Sequence, residues 1–245
     1  AHQRLAARLL QLYELRAADS PNGMSVDFVR DAALNGGFVN HAQMLDWLGR
    51  ALGDGAILLR RAHHHAMVSV RLSPLQGKVY LHLSSLSFLD PKPIATDSLV
   101  EQAVLVRPMN GAVLFEAGRQ LWIAGRIEQG LDLWRHSLNL AGSHTPELVT
   151  TIARIFPARI LIDELNPGLR ALDLALKQYR VHGDSEDLLD LCKHVKDEAA
   201  RCEASGEEDS LALAYRWRQV SQTLRSLQRA EEAVPSAEHA VGLEP

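Results

Sequence analysis

Aromatic residues are scarce in this sequence: 5% of its 245 residues, although 47% are hydrophobic. Strands draw on aromatic and β-branched side chains, so a chain rich in Leu and Ala but poor in aromatics is predicted to be helical. No apolar run approaches the roughly 20 residues that a membrane-spanning helix needs. Cysteine is nearly absent, with only Cys192 and Cys202, ten residues apart in one predicted helix. Ten residues of helix rise about 15 Å, whereas a disulfide holds Cα atoms about 4.4–6.8 Å apart. The two cannot pair while that helix stands, which leaves the redox compartment open. An excess of either charge is lacking too. The 26 basic and 30 acidic residues give a net charge of −4, with both signs spread along the chain. That pattern excludes the basic footprint of a nucleic-acid binder. No secretory leader is visible, and the chain opens at Ala1 rather than Met. The expectation is an excised or processed piece, with any membrane-spanning portion outside it.

Recognisable catalytic constellations are missing as well. There is no G-x-S-x-G elbow, and no glycine-rich phosphate loop with a following Lys-Ser/Thr. His63-His64-His65 invites a metal reading. Successive helical residues point about 100° apart, however, and ligands on one face need a spacing of three or four. These histidines are read as structural or solvated, and no metal or cofactor is expected. Asp163-Glu164 is an adjacent acidic pair in an irregular segment, read as a solvated pair near a helix end.

What is present is helical periodicity. From Leu105 to Leu140 the apolar positions Val113, Leu114, Ala117, Gly118 and Leu121 recur at steps of three and four, then Ile127, Leu131, Trp134 and Leu138 after a break at Gly125. This is a helical hairpin. Upstream, helices are predicted over 4–18, from an N-cap at Ser25 to Leu34, from an N-cap at Asn40 to Leu52, and over 57–72. Turns at Ser20-Pro21-Asn22-Gly23, Gly36-Gly37 and Gly53-Asp54-Gly55 separate them, and a further pair flanks Asp90-Pro91-Lys92-Pro93. Downstream, helices are expected from an N-cap at Thr145, with Pro146 at the first helical position, to Ile155, over 158–165 and 169–181, from Asp184 or Ser185 to about Ala204, and again from Glu207 or Asp209.

Pro74-Leu75-Gln76-Gly77 and Pro108-Met109-Asn110-Gly111 are the same turn, 34 residues apart, and a further 34 reaches Gly142. With repeats starting at Gln43, Gly77 and Gly111, small residues fall into columns: Ala62, Thr96 and Gly130, then Ser69, Ala103 and Ser137. The column between them, Ala66, Val100 and Trp134, is less uniform. Small side chains there let paired helices approach closely. A helical hairpin repeating every 34 residues resembles the tetratricopeptide repeat. Near the carboxyl end, Trp217, Leu224, Ala233, Ala240 and Pro245 resemble another unit starting at Ala214. Ser221 stands there where glycine is common, Ala237 where a bulky residue is usual, and Pro235 inside the second helix, where it should kink or shorten it.

The resemblance implies an all-α fold, a right-handed superhelix of antiparallel helical hairpins. The organisation read from the sequence is amino-terminal capping helices over 1–42, three repeats over 43–144, an irregular helical bridge over 145–213 and a terminal repeat over 214–245. Members of that family bind peptides or proteins on the concave surface lined by their first helices. Carried over by position, the resemblance implies a partner-binding set of Lys78, Leu81, Ser85, Phe88, Phe115, Arg119, Trp122, Arg218 and Gln222, with Leu89, Ala112, Ile123, Tyr215, Arg225 and Ser226 completing the same positions. Phe115, Trp122 and Ile123 have a second reading, as core packed against the helices that follow. The Lys and Asn of the family's carboxylate clamp are replaced by Leu81/Phe115 and Ser85/Arg119, so a chaperone-type clamp is not expected.

The run from Pro108 to Arg119 (P-x-x-G-A-V-L-F-E-A-G-R) and Ile160–Leu169 (ILIDELNPGL) is similar to helical-repeat regions of bacterial O-antigen ligase-like membrane proteins. The leading expectation is a non-catalytic scaffold for a protein or peptide, and the alternative is an extramembrane accessory domain in envelope polysaccharide assembly. Neither involves nucleic acid or direct membrane contact by this stretch. The compartment is read as cytoplasmic or the extramembrane side of the envelope.

Overall fold

The computed structural model describes residues 1–21, 23–140, 142–206 and 208–243. Among them are fourteen α-helices, one 3-10 turn and no strand. The chain divides into two compact units, residues 1–130 and 131–245. The first holds α1 (His2–Ala18), α2 (Val26–Asn35), α3 (His41–Leu52), α4 (Asp54–Leu72), α5 (Gly77–Ser85), the 3-10 turn Ser87–Leu89, α6 (Thr96–Val106), α7 (Gly111–Ile123) and the start of α8 (Ile127–Asn139). The division falls inside α8, and so inside the third predicted repeat.

Helix starts follow from side chains that accept otherwise orphaned amide hydrogens. Ser25 accepts from Phe28 N at 3.3 Å, Asn40 from Gln43 N at 2.9 Å and Asn110 from Val113 N at 3.1 Å. Asn22, in the expected turn after α1, lies outside the described residues.

The two Pro-containing turns are neighbours. Arg107 Nε donates to Leu75 O at 3.0 Å, and Tyr80 Oη donates to Pro74 O at 2.9 Å. A Cβ at Gly77 would lie 2.8 Å from Ala103 O, so α5 and α6 meet there backbone to backbone. A Cβ at Gly130 would lie 2.9 Å from Gly118 O and 3.3 Å from Trp122 Cβ. These are the close approaches that the small columns predict. Ala62, Ala66, Ser69, Val100, Ala103, Trp134 and Ser137 are all buried, as is Gly130, while Thr96 is half-buried at the first residue of α6.

The first predicted hairpin differs in its partner. α4 packs most extensively along α1 rather than along α3. Length accounts for this. α4 has 19 residues and α3 only 12, so at 1.5 Å per residue α3 cannot cover the stripe Ala56, Ala62, Ala66, Ser69. α1, with 17 residues, can. Tyr13 of α1 packs against Gly55 and donates to Met24 O at 2.7 Å. Burial, with Glu14 adding, pushes its hydroxyl up to about 12. The core beneath gathers Val26, Val29, Met44, Leu48, Leu59, Leu86 and Phe88. Each fully buried Leu there contributes roughly 1.5–3 kcal/mol.

The second unit continues α8 and adds α9 (Thr145–Ile155), α10 (Ala158–Asp163), α11 (Leu169–His182), α12 (Ser185–Ser205), α13 (Ser210–Ser226) and α14 (Ala230–Gly242). Its interior holds Trp134, Leu148, Ile152, Leu161, Leu165, Leu172 and Tyr179. Trp134 meets Phe156 edge to face, with centroids 6.3 Å apart. Asp184 caps α12 in a reciprocal capping box with Asp187, and the other oxygen of Asp187 accepts from Ala158 N at 2.6 Å. Thr145 does not cap α9 but begins it, and its Oγ1 accepts from Gly142 N at 3.1 Å. Glu207 lies outside the described residues, and α13 starts at Ser210.

α13 and α14 form the closest hairpin of this unit. Ser221, at the position where glycine is common, is buried and donates to Ala233 O at 2.9 Å, so its hydroxyl bonds across the close approach. Pro235 sits within α14 and does not shorten it. It follows one turn after the helix start, so only one intrahelical donor is lost. Pro245 lies outside the described residues.

Candidate functional site

α5 and α7 bring their facing residues together through Gln120. This side chain is completely buried, and its Nε2 donates to Leu81 O and Ser85 Oγ, both at 3.0 Å, and to Glu116 Oε1 at 3.2 Å. Beside it on the same helix, Arg119 grips Glu116 with two donors, Nε to Oε2 at 2.9 Å and Nη2 to Oε1 at 2.7 Å. Its third reaches Asp27 of α2. Arg30 of α2 is 6% exposed and lies 3.4 Å from the other oxygen of Asp27.

The result is a charged cluster of Asp27, Arg30, Glu116 and Arg119 beside buried Gln120, with α2 packed on α5 and on the 3-10 turn. Burial alone would lower the Arg119 pKa; the hydrogen bonds and charges of Glu116 and Asp27 outweigh it and raise the value. Burial lowers that of His82 of α5, with Glu116 opposing and Lys78 adding. Four buried polar atoms here, Asp27 Oδ1, Arg30 Nη1, Ser84 Oγ and Gln120 Oε1, have no hydrogen-bond partner among the described residues.

Of the residues expected to bind a partner, Leu81, Ser85, Phe88 and Phe115 are buried. Lys78 is exposed, and Arg119 and Trp122 are half-buried. Trp122 stands where Gly130 of α8 crosses α7. In the second unit Arg218 and Gln222 are exposed on α13, and Gln222 Oε1 accepts from Gln219 Nε2 at 3.5 Å. Sequence reading missed Asp27, Arg30, Glu116 and Gln120. The local signals were spacings of three and four, Asp27 to Arg30 on α2 and Glu116 to Arg119 and Gln120 on α7, which put each set on one helix face.

His63 pairs with Asp90 at 3.0 Å, and His65 with His2 at 3.0 Å. Among the described residues no group of three or more His, Cys, Asp or Glu is arranged to hold a metal ion, and no helix is long and apolar enough to cross a membrane. Neither cysteine forms a disulfide and both are buried in α12, where burial pushes the Cys192 thiol up to about 11, against reactivity. Asp163 accepts from Arg159 at 3.2 Å, and Glu164 lies 3.8 Å from Arg135. An open cleft of about 510 Å³ between α10 and α12 is lined by Arg159, Asp163, Glu186, Asp190, Lys193 and His194. Asp197 completes the polar lining, which sets four carboxylates beside Arg159, Lys193 and His194, a mixed set that singles out no ligand.

No protein-family model matches the chain, and no curated protein matches it. The functional reading therefore rests on the geometry.

Proposed function

We propose that the chain is a non-catalytic interaction scaffold. Its hairpins belong to a right-handed superhelix of the tetratricopeptide kind, and the first-helix face of α5 and α7 is its recognition surface for a helical protein segment. The observation that carries this reading is that α2 itself lies on that face. Asp27 enters the Arg119 grip, and Val26 and Val29 join the core that contains Phe88. A face that seats one short amphipathic helix through an apolar pair and a carboxylate is suited to seat another with the same spacing.

The fit of α2 is incomplete in a way that favours exchange. Arg30 Nη1 is buried without a hydrogen-bond partner, and Asp27 Oδ1 meets Arg30 only as an ion pair at 3.4 Å, a cost that a better-matched helix would not carry. α2 has only 10 residues, and it is followed by Gly37 at φ +67°, where a non-glycine residue would be strained.

The test uses the full chain and a labelled peptide of residues 25–36. Asp27→Lys sets like charge against Arg119 and loosens α2 from its seat. That variant should bind the peptide, measured by fluorescence anisotropy, and the native chain should bind it far less. Asp27→Lys combined with Arg119→Ala should lose the gain. A folded Asp27→Lys chain that takes up no peptide would overturn the proposal.

A further inference from the structure

One end of the first unit carries aliphatic side chains that nothing covers. Leu72, Leu75, Leu105 and Met109 are 72%, 66%, 74% and 77% exposed. They belong to the last turns of α4 and α6 and to the turns that follow, and the Arg107–Leu75 hydrogen bond sets those two turns side by side. The start of α1 reaches the same end. A cavity of about 400 Å³ there is lined by His2 and Arg4 together with Ser69, Leu72 and Gln76.

The charge carried by the tips at this end is basic. Arg4, Arg71, Lys78 and Arg107 are exposed, and the three segments that build the end, residues 1–13, 55–89 and 102–115, contain no Asp or Glu. Such a stretch of 35 residues, 55–89, is notable in a chain with 30 acidic residues. Asp54 and Asp90 lie at the opposite helix ends, and the nearest acid along α6 is exposed Glu101, one turn before Leu105.

We infer that this end docks on an anionic lipid surface, independently of the α2 face. The four aliphatic tips enter the headgroup layer while the guanidinium and ammonium groups meet lipid phosphates. Protruding aliphatic turns ringed by basic side chains match a surface that is apolar within and anionic at its headgroups. A second copy of the same end would bring like charges together, and the end exposes no aromatic ring on which a nucleic-acid base would stack. The proposal departs from the sequence-based expectation of no direct membrane contact.

Flotation of the full chain with vesicles decides the matter. At about 50 mM salt it should float with phosphatidylcholine vesicles containing phosphatidylglycerol and not with phosphatidylcholine alone, and about 500 mM salt should release it. Each basic residue near an anionic surface is worth about fivefold in partitioning, so Arg71→Gln with Lys78→Gln should weaken it about 25-fold. Leu75→Ser with Met109→Ser should weaken it severalfold while leaving salt sensitivity in place. Lys92→Gln with Arg126→Gln, the same charge change at the other end of the α5–α7 hairpins, should bind as the native chain does. All these sites are exposed, and an unchanged far-ultraviolet circular dichroism spectrum checks that each variant is folded. Absence of flotation with anionic vesicles at low salt, or equal loss in the control variant, overturns the proposal.

Discussion

Arg119 on α7 and Asp27 on α2, 92 residues apart in sequence, share a charge-assisted hydrogen bond, and Glu116 accepts from two further N–H groups of the guanidinium. The pair ties α2 to the α5–α7 face. Both side chains are less than one-third exposed, at 29% and 25%, so solvent screening weakens the bond without removing it.

Asp27→Ala should therefore destabilise the chain by ~1–3 kcal/mol, because it also strips buried Arg30 of its nearest carboxylate. A urea titration gives the size of the loss. Hydrogen exchange gives its location: amides of α2 should speed up more than those of α6. A uniform increase across the unit would instead mean that α2 opens only with global unfolding.

Stability should fall on mild acidification. Burial holds the His82 pKa below its ordinary value, and His65 is lowered by burial and then by His2, His64 and Arg61. Above about pH 6.5 these rings are neutral in both folded and unfolded chains. As pH falls through that value, the unfolded chain takes up protons that the folded one withholds, so stability drops until the folded values are passed. Melting curves between pH 8 and 5 should show the decline, and His82→Asn should flatten part of it. The same slope in that variant would remove His82 from the account.

Two glycine-to-alanine changes should move stability in opposite directions. Gly49 lies in the middle of α3, and a Cβ added there would meet nothing within 4 Å, so Ala should stabilise by ~1 kcal/mol through helix propensity. Gly130 faces Gly118 O, which a Cβ would approach to 2.9 Å, and Ala there should destabilise by ~1–3 kcal/mol through overpacking. Thermal melts of the two variants check both signs, and a neutral Gly130→Ala would show that the start of α8 shifts freely over α7.

Features that depend on short stretches of chain were legible in the sequence. The caps at Ser25 and Asn40 depend on three-residue spacings, whereas Asn110, read only as part of a turn, also caps its helix. The repeated turn at Pro74 and Pro108 depends on backbone chemistry that recurs wherever the turn does. The small columns carried through for a similar reason, since a close helix crossing excludes a Cβ whatever surrounds it. The seat of α2 was not legible. Its grip joins Asp27 to Arg119, and no local pattern encodes a pairing between an isolated ten-residue helix and a distant hairpin. The α1–α4 packing was hidden likewise, because helix lengths, rather than the phase of the repeat, decide which neighbour covers α4. Positions carried over from a repeat also assume an open first-helix face, and at Leu81, Ser85, Phe88 and Phe115 that face is covered.

In the second unit Arg216 is 5% exposed and pairs with Asp173 at 3.3 Å and Glu208 at 2.8 Å. Burial raises the Asp173 pKa, and Arg216 works against that rise. Arg216→Met should cost about 3–5 kcal/mol at pH 7, because a buried carboxylate is left without its cation. Asp173→Leu added to Arg216→Met should recover part of the loss, since removing both charges removes the uncompensated one. The pH dependence has a definite sign. Without Arg216 the folded-state pKa of Asp173 rises further above its unfolded value, so the folded variant binds that proton more tightly, and its defect should shrink as pH is lowered from 7 to 5. Urea midpoints of native, single and double variants at both pH values measure the coupling; a defect independent of pH would mean that Asp173 stays solvated when its partner is gone.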